Sequence, residues 1–111
     1  MKNISQTKDL IIKILNDNKA LDIKILDLKG KHSLADYAII ATGTSNRHLS
    51  TLKDKLYTEL KQANVTDLQS EGEDTGNWII IFTSGIFIHL FREEVRNYYT
   101  IEDIWAKSNA N

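Results

Sequence analysis

Residues 78–91 read Trp78-Ile79-Ile80-Ile81-Phe82-Thr83-Ser84-Gly85-Ile86-Phe87-Ile88-His89-Leu90-Phe91, and their division decides the fold. Twelve of the fourteen are apolar, β-branched or aromatic side chains or a histidine, and only Ser84-Gly85 interrupts them. Two strands joined by a tight turn are therefore expected. A two-residue turn sets Thr83 opposite Ile86 and Phe82 opposite Phe87, and strand alternation then sorts the side chains into two sets. Ile79, Ile81, Ile86, Ile88 and Leu90 share one face, while Trp78, Ile80, Phe82, Phe87, His89 and Phe91 share the other. Because both faces are apolar, the hairpin belongs inside a sheet covered on both sides; a sheet with one wet face would alternate with polar residues.

Working outward, residues 4–18 carry Ile4, Leu10, Ile11, Ile14 and Leu15 at helical spacing, with Asn3 or Ser5 as a cap and Asn16-Asp17-Asn18 as a stop. Leu21 to Leu28 alternates as a strand with Asp22 and Lys24 outward, and Tyr37 to Thr42 reads as a buried strand. Gly43-Thr44-Ser45-Asn46 opens a helix from about Arg47 to Ala63. Its apolar stripe is Leu49, Leu52, Leu56, Leu60 and Ala63. Val65 to Ser70 is a polar edge strand. Ser33 caps a single turn before the second strand, Glu93 to Tyr99 forms a helical turn, and Thr100 caps a last one with Ile101, Ile104 and Trp105. The expected fold is α/β (α+β): one domain over residues 1–106 with a mixed five-stranded sheet, two long helices and a short C-terminal helix. Residues 107–111 are expected to be a frayed tail.

Composition bounds the function. At 111 residues the chain suffices for one domain with a real core, and without cysteine it has neither disulfides nor thiolate metal sites. No signal-peptide pattern opens the chain and no run is long enough to span a bilayer, so a soluble cytoplasmic protein is expected, with no membrane partner. The net charge of −1 hides an asymmetry. Residues 1–66 hold eleven Lys/Arg against seven Asp/Glu, a net +4, whereas residues 67–111 hold three against eight, a net −5. The acidic half suits a basic partner surface and argues against gripping nucleic-acid phosphates there.

Candidate chemistry is sparse. His32, His48 and His89 have no metal-ligand spacing. Gly43-Thr44-Ser45 at a strand-to-helix junction could cradle a phosphate, and Gly-Ser after a strand also opens nucleotidyltransferase sites. That chemistry needs two or three carboxylates on adjacent strands; here Asp22 and Asp27 stand five apart, on opposite faces by alternation, and no Asp-x-Asp is present. Helix capping by Thr44 or Ser45 is the simpler role. Arg47, Lys53, Lys55 and Lys61 alternate with Asp54 and Glu59 without aromatic residues between them, so sequence-specific nucleic-acid binding is not expected. No catalytic residue, metal or cofactor is assigned.

With two long helices for a hairpin apolar on both sides, an exposed apolar patch is expected around Trp78. Five ordered blocks carry a family resemblance: Asp22 to Leu28, Ala35 to His48, Glu71-Gly72 with Trp78 to Ile81, Ile86 to Phe91, and Glu94 to Tyr99 with Ile104-Trp105. On these the sequence resembles the ribosomal silencing factor (RsfS, or Iojap-like) family. The resemblance implies a nucleotidyltransferase-like fold without catalytic acids, in a non-enzymatic factor that binds the universal large-subunit ribosomal protein fourteen (uL14). It further implies steric block of subunit joining, repression of translation, and self-association as a homodimer. Its partner-binding residues would be Trp78, Ile80, Phe82, Thr83, Phe87, Tyr98, Tyr99 and Glu71. The family turn Asp, apolar, Gly, Asp is replaced here by Phe82 to Gly85, which leaves Glu71, Glu73 and Asp74 to supply negative charge. A large-subunit assembly factor using the same surface and a small nucleotidyltransferase-like enzyme at Gly43-Thr44-Ser45 are the alternatives.

Overall fold

The computed structural model describes residues 3–31, 35–72 and 77–93. Ser33 and Leu34 of the first expected turn, the helical turns expected over 93–105, the tail over 107–111, and Glu73, Asp74, Tyr98 and Tyr99 therefore lie outside the described residues, save for Glu93. Among the described residues two helices and five strands follow in the order α1 (Ile4–Asp17), β1 (Leu21–Asp27), β2 (Tyr37–Gly43), α2 (Asn46–Gln62), β3 (Gln69–Glu71), β4 (Trp78–Thr83) and β5 (Ile86–Arg92). The strands form one mixed sheet in the order β1-β2-β5-β4-β3. β2 and β5 run parallel and every other neighbouring pair is antiparallel.

Both helices are closed at their ends by local chemistry. Asn3 caps α1 in a capping box with Gln6, the amide of Gln6 donating to the Asn3 side chain at 2.8 Å and the amide of Asn3 to Gln6 Oε1 at 3.1 Å. Such a cap contributes about 1 kcal/mol. Ser45 caps α2 by accepting from the His48 amide. Each helix ends on a non-glycine residue in the left-handed region, Lys19 (φ 66°) and Asn64 (φ 67°). Ala20 N–H reaches Leu15 O and Val65 N–H reaches Leu60 O, which completes the same C-terminal motif at both ends. This explains why the third strand starts later than the sequence suggests. Val65 is used up closing α2 and is buried in the helix-side core, so β3 is confined to three residues.

The core lies between the helices and one face of the sheet. Leu49, Leu52, Leu56 and Leu60 of α2 and Ile11, Ile14 and Leu15 of α1 are fully buried against Tyr37, Ile39 and Ala41 of β2 and the Ile79, Ile81, Ile86, Ile88 and Leu90 set. Each such aliphatic side chain contributes roughly 1.5–3 kcal/mol by leaving water. Ala63, assigned to the same stripe, is only partly buried. A second, smaller cluster of Leu28, Ala35 and Ala38 sits against Phe82 and Phe87 on the opposite face. At Gly43 an added Cβ would lie 2.6 Å from Leu49 Cδ2, so a larger residue there would have to displace the buried Leu49 side chain.

β1 departs from simple alternation. Leu21 pairs with Thr42 but Lys24 pairs with Ile40, so three residues of β1 advance against two of β2, and Asp22 adopts a φ of 49° in this bulge. Counting residues from Asp22 to Asp27 thus no longer fixes their relative faces. Leu21 and Ile25 are also 46% and 44% exposed, because β1 is an edge strand beyond the reach of much of the core.

Candidate functional site

The β4–β5 hairpin turns on Ser84 (φ 52°) and Gly85 (φ 80°), both in the left-handed region, as a two-residue turn between right-twisted strands demands. Its register is the expected one, with Thr83 facing Ile86, Phe82 facing Phe87 and Trp78 facing Phe91. Gly85 tolerates this conformation, while Ser84 pays a steric penalty for it. Asp67 offsets that cost: its carboxylate accepts from the Ser84 amide at 2.9 Å, the Ser84 hydroxyl at 3.2 Å and the buried Thr83 hydroxyl at 2.7 Å. The Thr83 hydroxyl above all, with the Ser84 amide, holds the Asp67 carboxyl below the usual carboxylate range. Replacing Asp67 with Ala is expected to destabilise the domain by about 2 kcal/mol, since bonds to a charged acceptor are lost and a buried hydroxyl is orphaned. Urea unfolding at pH 7 measures this, and an unchanged midpoint would show that the turn does not need Asp67.

On the face opposite α1 and α2 the aromatic side chains form a ladder across the two strands. Trp78 stacks on Phe91 with centroids 5.6 Å apart and planes 8° from parallel, and Phe91 stacks in turn on His89 at 5.9 Å. Phe87 continues the row at 6.1 Å from His89 and meets Phe82 at 4.7 Å. Phe91 and His89 are buried, whereas Ile80, Phe82 and Phe87 are half-buried and Trp78 is 39% exposed. Burial pushes the His89 pKa down to about 4, so the ring is neutral at physiological pH. Beside the ladder lies an open groove of about 510 Å³ lined by Gln69, Ser70 and Glu71 of β3 and by Ile80, Phe82 and Phe87. A smaller recess of about 80 Å³ between Glu71, Gly72, Trp78 and Ile80 extends it toward the tryptophan.

Of the residues named from the sequence, Trp78, Ile80, Phe82, Phe87 and Glu71 thus come together on one surface. Thr83 does not join them. It is fully buried on the helix-facing side, where strand parity places it with Ile79 and Ile81 and where its hydroxyl serves Asp67. Asp67 itself was not among those residues. The signal for it was the turn's own accounting, since the Ser84 amide has no partner within a two-residue turn and needs an acceptor from elsewhere.

The Gly43-Thr44-Ser45 junction is occupied internally. The Thr44 amide donates to His48 Nδ1 at 2.9 Å, the His48 amide to Ser45 Oγ at 3.0 Å, and His48 Nε2 lies 2.9 Å from the Asn18 carbonyl. His48 therefore ties the start of α2 to the end of α1. Among the described residues no three His, Asp or Glu side chains are grouped to share a metal ion, and no helix is long and apolar enough to cross a membrane.

Fold and surface define the class: an α+β domain whose sheet is covered by two helices on one face and carries a partly open aromatic ladder on the other. The sequence matches the family model described as ribosomal silencing factor during starvation over residues 1–111. A ribosomal silencing factor of Zymomonas mobilis is 38% identical over 97 residues, covering 87% of this chain and 73% of the relative. That of Haemophilus influenzae is 35% identical over 98 residues, covering 88% and 96%. The crystal structure of a Chromobacterium violaceum protein superimposes with a TM-score of 0.89 at 36% identity, over 95% of this chain and 88% of that one. The chain belongs to the ribosomal silencing factor family.

Proposed function

We propose that this protein is a non-enzymatic repressor of translation that acts in the cytoplasm by seating its aromatic face on uL14 of the large ribosomal subunit, where its bulk excludes the small subunit. The observation that carries this reading is the exposed Trp78, held against Phe91 at the head of an apolar groove in a member of the silencing family. A large aromatic side chain left wet is costly unless something covers it. The mechanism is competitive occupancy, so no bond is made or broken. The internal hydrogen bonds at Thr44 and His48 support a non-catalytic role for the glycine junction, because those helix-start amides are already engaged.

Co-sedimentation of the purified protein with separated subunits tests the proposal. It should pellet with large subunits and not with small ones, and pre-bound protein should reduce the joined ribosomes formed when small subunits are added. Binding without loss of joining would overturn the blocking mechanism, and absence of binding would overturn the ribosomal role.

A further inference from the structure

Among the described residues the sheet ends at β3, which is only three residues long. Its hydrogen-bonding pattern follows from the hairpin. In a two-residue turn the flanking residues Thr83 and Ile86 exchange backbone bonds, so Ile81 and Ile79 also point their amides and carbonyls toward β5. Phe82 and Ile80 then point theirs toward β3, where they face Gln69 and Glu71. By the same alternation Ser70 turns its backbone N–H and C=O away from β4, to the free edge of the sheet. The side chains of Gln69 and Glu71 share the aromatic face with Phe82 and Ile80, and that of Ser70 lies on the helix side, where the Tyr57 hydroxyl donates to it at 3.0 Å. An open backbone donor and acceptor thus border an apolar groove whose rim carries an exposed carboxylate.

On the groove side of this edge the charged lining residue is Glu71, while Lys53 and Lys61 lie over the Tyr57 ring on the helix side. Residues 67–93 contain five acids and a single base, Arg92. That composition matches a basic partner segment and repels an acidic one.

Resting on the reading that this face meets the large subunit, we propose that the ribosomal partner contributes an extended basic segment that adds as a sixth strand along β3. Backbone bonds to Ser70 set its register, a long apolar side chain lies in the groove over Phe82 and Phe87, and a lysine or arginine meets Glu71. This is strand addition at an exposed edge, in which main-chain bonds supply affinity and alternate side chains supply specificity. The recess beside Glu71 joins the segment's path to Trp78.

Affinity of the full-length chain for purified large ribosomal subunits tests the proposal through four variants. Ser70→Pro removes the outward amide without touching the bonds to β4, and should weaken binding about tenfold, the worth of one well-made hydrogen bond. Tyr57→Phe deletes the hydroxyl bond to Ser70 while leaving the edge backbone, and should bind like the parent. Glu71→Lys should weaken binding by a similar factor at low salt and flatten its salt dependence. Trp78→Ala tests the face as a whole. If Trp78→Ala loses binding while Ser70→Pro and Glu71→Lys retain it, strand addition is wrong and the ribosomal reading stands. If none of the variants loses binding, the reading of the face fails as well. Should Ser70→Pro prove unfolded by circular dichroism, the exposed Glu71→Lys decides alone: retained affinity with an unchanged salt slope overturns the proposal.

Discussion

Between pH 6.5 and pH 4 the domain is expected to lose about 3 kcal/mol of folding stability through His89 alone. The ring sits between Phe87 and Phe91, above neighbouring Ile80 of β4 and Ile40 of β2, and burial is the whole cause of its lowered pKa. An unfolded chain takes up a proton on this ring near pH 6.5, whereas the folded one refuses it until about pH 4. Between those values the unfolded state binds more protons, so stability rises with pH and falls on acidification. The contribution is complete above pH 6.5 and is lost progressively down to about pH 4. A series of urea unfolding curves over this range measures the slope, with His89→Phe as the control. The variant should be nearly flat between about pH 6.5 and 5, and below that both proteins share the loss from carboxylates held down in the fold, such as Asp67. A variant with the parent's slope would show that His89 is not the group responsible.

Replacing Trp78 with Ala is expected to weaken binding to the large subunit by 2–4 kcal/mol, on the order of 30-fold or more, while the fold survives. The side chain is large, rigid and partly wet, and it is pre-positioned by its stack on Phe91, so little ordering entropy remains to be lost on docking. Its register with Phe91 is held by backbone bonds of neighbouring residues, among them Arg92 N–H to Asn77 O at 3.0 Å, and does not depend on the indole. Titrations at a fixed ionic strength, with thermal melting alongside, separate the two effects, and Trp78→Phe should fall between. A folded Trp78→Ala protein that binds like the parent would move the contact surface elsewhere.

The hairpin was legible because its two signals are local: an apolar run and a turn dipeptide, whose spacing fixes register and both faces at once. The helices were legible for the same reason, through the Leu49-Leu52-Leu56-Leu60 stripe and through paired cap candidates, of which Asn3 rather than Ser5 and Ser45 rather than Thr44 serve. What sequence periodicity does not carry is an inserted residue. The bulge at Asp22 leaves the composition of β1 strand-like and shifts only its parity, which nothing before Lys24 announces. Long-range polar contacts are equally silent. Asp67 reaches Ser84 across seventeen residues of sequence, and a carboxylate in a polar stretch looks like any other. Five of the eight proposed contact residues share a surface because strand parity and the β3–β4 pairing put them there. Thr83 falls away by the same parity.

The two edges of the sheet are unlike. β3 is narrow and unbulged, while β1 is kinked by its extra residue and set with Asp22, Lys24 and Asp27. A sheet with two flat edges is a template that can lengthen copy upon copy, each new edge inviting the next. Here the two edges differ, because a strand that completes β3 finds at the far side an edge blunted by a bulge and by charged residues. The extra residue at Asp22 thus works against edge-to-edge stacking in a chain that leaves aromatic surface open to water.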